Sequence, residues 1–381
     1  MTSFPEEQLD SAKGYFPGFP GMTLQSGKWT IICKLGWGER SSVWLVHDTF
    51  QQIKFRAIKI YTVSDSKEVT ALNELRTFRL SDIKDVDVVQ LQESFKEGSH
   101  LCLVFMPHGV TVEILRKSNA AGGYVAVHIA KQIAASTLTA LSSLEDINLV
   151  HGASDHIVVG DLEKEDIMAA QIDTGVEQLT KNGCSYPLVR SQPIDPKGSG
   201  TTWNEPPVDF AGKSRLLVNL GHGKSQLSHR QTSNILTGSA AQPTQNLKAL
   251  QAMKMSKSVP FPPEVLLGRS IALSSDVWQL GWMTFLLLTG TPLLNQDTYA
   301  KSPIESLNQI LEPPFLENCL LCNATLLKED LEPTVTLLRS LLTADPLLRP
   351  TVEDLLDNRW MQQGDICICG ACTADSVITE H

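Results

Sequence analysis

One stretch constrains this chain more than any other. Ser274-Ser275-Asp276-Val277-Trp278-Gln279-Leu280-Gly281-Trp282-Met283 opens an apolar run, Val277 to Leu288, that ends at Thr289-Gly290. Serine and aspartate are N-cap types and Gly290 is a C-cap type, so the run is bounded as one helix. Its apolar residues go almost all the way round. Such a helix is buried on every side rather than laid on a surface. It demands a large helical body around it, and a chain of 381 residues is long enough to supply that body and a second lobe.

Bulk properties exclude some classes. No run of about 18 apolar residues exists, so no membrane span is expected. Met1 to Asp10 holds Glu6, Glu7 and Asp10 and no apolar core of a secretory leader, which points to an intracellular protein of cytoplasm or nucleus. The net charge of −10 argues against direct nucleic-acid binding and suits a basic peptide partner. Eight cysteines without a leader read as reduced thiols. Two clusters, Cys319 with Cys322 and Cys367, Cys369 with Cys372, make a zinc site only if the C-terminal tail folds back.

Residues 1–28 are rich in glycine and proline and read as an arm packed by Tyr15, Phe16 and Phe19. A β run, Trp29 to Leu35, leads into Gly36-Trp37-Gly38-Glu39-Arg40-Ser41-Ser42-Val43-Trp44-Leu45. Glycines between two β runs let backbone approach phosphates closely. Phe55 to Ile60 is a further strand, with Lys59 in its apolar centre. Ser66 to Leu80 has helical spacing, with Leu72, Leu75 and Phe78 as its apolar face. Glu74 is the candidate ion-pair partner of Lys59, and Glu68 the alternative. Val86 to Gln92 and Leu101 to Phe105 read as strands, the second entering Met106-Pro107-His108-Gly109. Tyr124 to Leu149 reads as a long helix carrying Ile129, Ile133, Leu138, Leu141 and Leu144.

These segments, in this order, resemble the protein kinases: a glycine turn, a Val-Ala-Ile-Lys-like strand, Pro262-Pro263-Glu264 in place of Ala-Pro-Glu, and the helix opening at Asp276. Within that superfamily, Lys34-Leu35-Gly36-Trp37-Gly38…Val43-Trp44 is similar to the SR-protein-specific serine/threonine kinases and their divergent relatives. The resemblance covers roughly residues 14–362. It implies an α+β bilobal fold: an arm (1–28), a small β-rich lobe (29–107), and a larger mainly helical lobe (108–362) with a polar insertion near 160–213. Residues 363–381 would form a tail.

The resemblance also implies ATP held by Gly36, Gly38, Val43, Lys59 and Glu74, with adenine against the backbone near Phe105 and Met106. It implies a buried Arg349–Glu264 pair and an Asp276 that holds the catalytic loop. That loop departs from the family. Val150-His151-Gly152-Ala153-Ser154-Asp155-His156 keeps the histidine but has Ala153 where the catalytic aspartate belongs, and a methyl accepts no proton. The loop is about two residues short, which removes the phosphate-contacting lysine. Asp155 is the substitute base if one exists. The two metal positions fall on His156 and Asn219, and a neutral asparagine holds Mg²⁺ less well than a carboxylate. The alternative metal motif is Asp173-Thr174-Gly175. That triplet also resembles an aspartic-protease motif, but a second copy is needed and none exists. His222 to Ser258 stands as the activation segment.

Function therefore divides. One reading is a kinase-like ATP-binding protein with weak or no transfer that works by binding partners. A second is an active kinase for Ser/Thr of Arg/Ser-rich proteins. A third is a scaffold that binds no nucleotide.

Overall fold

The fold was obtained as a computed structural model. It describes residues 6, 12–51, 53–67, 69–86, 88–118, 123–152, 157–159, 162–181, 183–194, 215–217, 224–225, 260–323 and 325–365. A small β-rich lobe stands on a larger helical one, as the resemblance implies.

The small lobe is built on β1 (Thr23–Leu24), β2 (Trp29–Gly38), β3 (Ser41–Asp48), β4 (Phe55–Tyr61), β5 (Leu91–Glu97) and β6 (His100–Phe105), with α1 (Val69–Thr77) between β4 and β5. The six strands form one antiparallel sheet in the order β1-β2-β3-β4-β6-β5. The arm covers the outer face, where Phe16 is buried with Trp29, Trp44, Val46 and Ile58.

Two expectations shift here. The helical stretch is shorter than Ser66–Leu80, and Leu72 points outward, 37% exposed. The buried face is instead Ala71, Glu74 and Phe78, with Leu75 packed beside them. A glutamate on the inner face is invisible to hydrophobic periodicity. The first of the two later strands begins at Leu91, not Val86. Val86, Val88 and Val89 are buried in a loop whose turn is fixed by the Gln90 amide, which donates to the carbonyls of Ile83, Val86 and Val88.

The large lobe follows with α2 (Val112–Ser118), α3 (Val127–Asp146), β7 (Leu149–Val150), β8 (Ile157–Val159), α4 (Lys164–Ala169), β9 (Glu177–Lys181), β10 (Cys184–Leu188), β11 (Arg215–Leu217) and β12 (Lys224–Ser225). It continues with α5 (Pro263–Leu266), α6 (Leu273–Thr289), α7 (Gln296–Lys301), α8 (Pro303–Leu311), α9 (Phe315–Leu320), α10 (Lys328–Leu341), α11 (Val352–Leu356) and α12 (Arg359–Asp365). Helix α3 falls inside the expected Tyr124–Leu149, and its five predicted apolar residues are all buried. Helix α6 is the anticipated central helix, buried at every residue from Ser275 to Thr289. It starts one residue before Ser274, because Ser275 serves at the third helical position and accepts the Ala272 N–H. Gly290 closes it in the left-handed region, at φ 74°. A Cβ at Gly281 would lie 2.6 Å from Leu341 Cβ, so glycine is what lets α10 pack this closely on α6.

Part of the segment read as a polar insertion is packed on the small lobe. Leu162, Ile167 and Ile194 are buried with Cys33 and Leu45 of β2 and β3. The Leu162 N–H donates to the Pro107 carbonyl (3.1 Å), and the Gln192 N–H to the Lys34 carbonyl (2.7 Å). Residues 162–181 and 183–194 thus form a strap from the inter-lobe hinge back to β2. Glu6 of the arm seals its far end by accepting from the buried Lys34 ammonium and from the Ser191 N–H (2.7 Å). Among the described residues no helix is long and apolar enough to cross a membrane.

Candidate functional site

Strand register brings the predicted nucleotide residues together. Gly36 pairs with Val43, Val43 with Lys59, and Lys59 with Leu103, so one row crosses β2, β3, β4 and β6. Partners in such a row share a face. The neighbouring row, Leu45–Ala57–Phe105, lies two residues along on the same face. Gly36 and Gly38 sit in the last residues of β2, with neither in the left-handed region. A Cβ on either would meet no atom within 4 Å. Neither the backbone nor the packing of this chain demands glycine at these points. Open space over bare backbone suits the close approach of phosphate.

Lys59 and Glu74 form a bidentate pair, with Nζ 2.9 Å from Oε1 and 2.8 Å from Oε2. Glu74 is therefore the partner seen; Glu68 lies outside the described residues. The Phe105 ring packs edge-on against Phe78 beyond the end of α1, with centroids 5.3 Å apart, and Met106 is 42% exposed beside it. Bare backbone at Gly36 and Gly38, the Lys59 ammonium and the apolar row Leu45–Ala57–Phe105 thus share one face of the sheet, and the row itself is buried, Leu45 beneath Leu162, Ile167 and Ile194 of the strap.

The opposite wall hangs from α6. Asp276 accepts the His151 N–H at 2.8 Å and the Gly152 N–H at 2.7 Å. Burial pushes its carboxyl up to about 7, against the two N–H groups that favour the charged form. Gln279 adds a donor to the Gly152 carbonyl at 3.3 Å. Beneath, Arg349 forks onto Glu264 with both N–O distances 2.8 Å, and Ser275 donates to the same carboxylate at 2.8 Å. Burial alone would raise Glu264; the Arg349 guanidinium and the Ser275 hydroxyl hold it below the usual range.

Ala153, Asp155, His156 and Asn219 lie outside the described residues, as do most of His222–Ser258 and the cysteines at 367, 369 and 372. The strands flanking these positions are described. β11 pairs antiparallel with β8, Leu217 opposite Ile157. Asp173, the alternative metal position, lies on the strap, where its carboxylate accepts the Gly175 N–H at 2.7 Å and its backbone N–H donates to Gln192. Cys319 and Cys322 are free thiols.

Sequence reasoning missed Tyr61, whose hydroxyl donates to Glu74, and the Glu6–Lys34–Ser191 contact. A tyrosine two residues after the strand lysine was the available signal for the first.

Comparison with known proteins follows the same line. The chain is 26% identical over 261 residues to protein kinase dsk1 of Schizosaccharomyces pombe, covering 65% of this chain and 43% of that protein. It is 28% identical over 209 residues to SRSF protein kinase 3 of Mus musculus, covering 51% and 35%. Serine/threonine-protein kinase spk-1 of Caenorhabditis briggsae is 34% identical over 137 residues, covering 32% and 12%. The chain thus spans less than half the length of these curated relatives. A crystallised kinase domain superposes with TM-score 0.54 at 17% identity, over 91% of this chain and 98% of that one. No protein-family model matches the chain.

Proposed function

From a chain with the protein-kinase fold and with SR-protein-type serine/threonine kinases as its homologues, we propose an ATP-binding, kinase-like protein that acts chiefly by binding partners and transfers phosphate weakly or not at all. The observation that carries the binding half is the closed Lys59–Glu74 pair beside two glycines whose Cβ positions are empty. Gly36, Gly38 and Val43 would cover the phosphates, Lys59 would meet them, and the backbone at Phe105 and Met106 would hold the base. ATP would supply the transferable phosphoryl group.

The transfer half rests on sequence. Ala153 cannot take a substrate proton, and His156 and Asn219 replace the usual ligands of Mg²⁺. The β8–β11 pairing supports Asn219 over Asp173 as the metal position, because the last residue of β11, Leu217, lies opposite the first residue of β8, Ile157. Positioning and charge neutralisation supply most of the rate in phosphoryl transfer, so losing the base and a carboxylate together costs several factors of ten. The binding partner that fits a net charge of −10 is a basic, Arg/Ser-rich protein of the cell interior. The names of the relatives favour a second reading, an active serine/threonine kinase, in which Asp155 serves as base.

Purified chain with radiolabelled ATP and an Arg/Ser-rich peptide separates them. The expected result is a thermal stabilisation by ATP, about tenfold weaker affinity in Lys59→Ala, and no transfer above background. Robust transfer that Lys59→Ala abolishes would establish the active kinase. Absence of any ATP-dependent shift, with and without Mg²⁺, would overturn nucleotide binding.

A further inference from the structure

The Lys59–Glu74 pair has a third member. Tyr61 stands two residues along β4 from Lys59, so both side chains leave the same face of the strand. It is 2% exposed. Its hydroxyl donates to Glu74 Oε2, and the Lys59 ammonium lies 5.0 Å from its ring centroid. One side chain thus contacts both charges: a hydrogen bond to the anion and a π face to the cation. A carboxylate has about four lone-pair positions, enough to accept Lys59 and Tyr61 together. A phenol buried here needs a partner for its proton, and the Glu74 carboxylate is that partner.

The backbone of Tyr61 is tied to the glycine hairpin. Tyr61 pairs with Ser41 across β3 and β4, and the next residue, Thr62, donates its N–H to the Arg40 carbonyl in the turn at 2.9 Å. On the other side, the Tyr61 carbonyl accepts from His100 Nδ1 at 2.7 Å. The residue that touches both charges is therefore also fixed to the tip of the hairpin and to the start of β6.

We propose that Tyr61 is a positioning residue for nucleotide: its ring and hydroxyl hold the Lys59 ammonium and the Glu74 carboxylate in one arrangement, set against the hairpin, before any ligand arrives. This rests on the nucleotide reading above. It acts through Lys59 and Glu74 and touches no phosphate itself. The hydroxyl donates to Glu74 while the ladder is held by backbone, so the hydroxyl serves the pair rather than the sheet.

Two measurements test it. In titrations with a fluorescent ATP analogue, Tyr61→Phe, which keeps the ring, weakens binding about 3- to 10-fold, and Tyr61→Leu weakens it further. In a Glu74→Gln background, Tyr61→Phe produces no additional loss, because the hydroxyl works through that carboxylate. The second measurement needs no ligand. The ¹⁵N resonance of the Lys59 ammonium, assigned by its absence in Lys59→Arg, is sharp in the wild-type chain and broadened in Tyr61→Phe. Affinity and resonance both unchanged in Tyr61→Phe, or equal losses with and without Glu74, overturn the proposal. If the wild-type chain binds no nucleotide, the nucleotide reading fails and the resonance alone decides the role of Tyr61.

Discussion

Two ion pairs, one in each lobe, have nearly the same bond lengths and different settings. Arg349 and Glu264 are joined by a planar fork, with side chains 0% and 4% exposed, and the same guanidinium donates to the carbonyls of Thr343, Ser274 and Ala344. Every neighbour is part of the large-lobe scaffold. Lys59 and Glu74 are joined by a point charge on a flexible stem, at 13% and 3% exposure. The first is closed on all sides and holds α5 to α6 and to the turn before α11. The second leaves its lysine partly exposed. An arginine fork suits permanent recognition of one carboxylate, while a lysine can be shared with an arriving anion. The difference separates a sealed brace from a pair with one partly exposed member.

That contrast can be broken experimentally. Glu264→Ala leaves a buried guanidinium without its counter-ion and should cost about 3–5 kcal/mol in denaturant unfolding. Lys59→Ala, by comparison, should cost only about 1–3 kcal/mol, since Glu74 keeps the Tyr61 hydroxyl. Equal costs would mean that the two pairs are both structural.

Asp276 sharpens the comparison by pH. Burial raises its carboxyl in the folded state from the ordinary value of 3.8 to about 7. Between those values the folded state binds more protons than the unfolded one, so stability falls as pH rises through that window. Asp276→Asn should flatten this slope in denaturant melts taken at stepped pH; an unchanged slope would show that the His151 and Gly152 N–H groups outweigh burial. At the small end, Arg190 and Glu177 lie on the strap with side chains 44% and 57% exposed, and Arg190→Ala should leave the denaturation midpoint indistinguishable from that of the wild-type chain.

The sequence made the scaffold legible where chemistry is carried by local words. The apolar run of α6, Glu264 after two prolines, and Arg349 before Pro350 each had a distinctive context, and the structure joins them as a unit. Periodicity misjudged α1 for a physical reason: the inward position that matters most there is a glutamate whose partner comes from another strand. The valines at 86, 88 and 89 read as a strand because burial and β-propensity look alike in a short run. The strap was unreadable for a third reason. Its contacts to β2 are main-chain bonds and single apolar side chains, with no periodic pattern to announce them.

The strap also bears on how this chain comes to be folded. Lys34 and Val189 are in hydrogen-bond contact across 155 residues of sequence. A contact of that span closes a long loop at an entropic cost, and long-range pairing of this kind slows folding. The segment of β2 just before the two glycines takes its outer neighbour from the first stretch of the large lobe. The small lobe is continuous in space but not in sequence: its glycine-bearing strand is completed by a segment that follows the hinge.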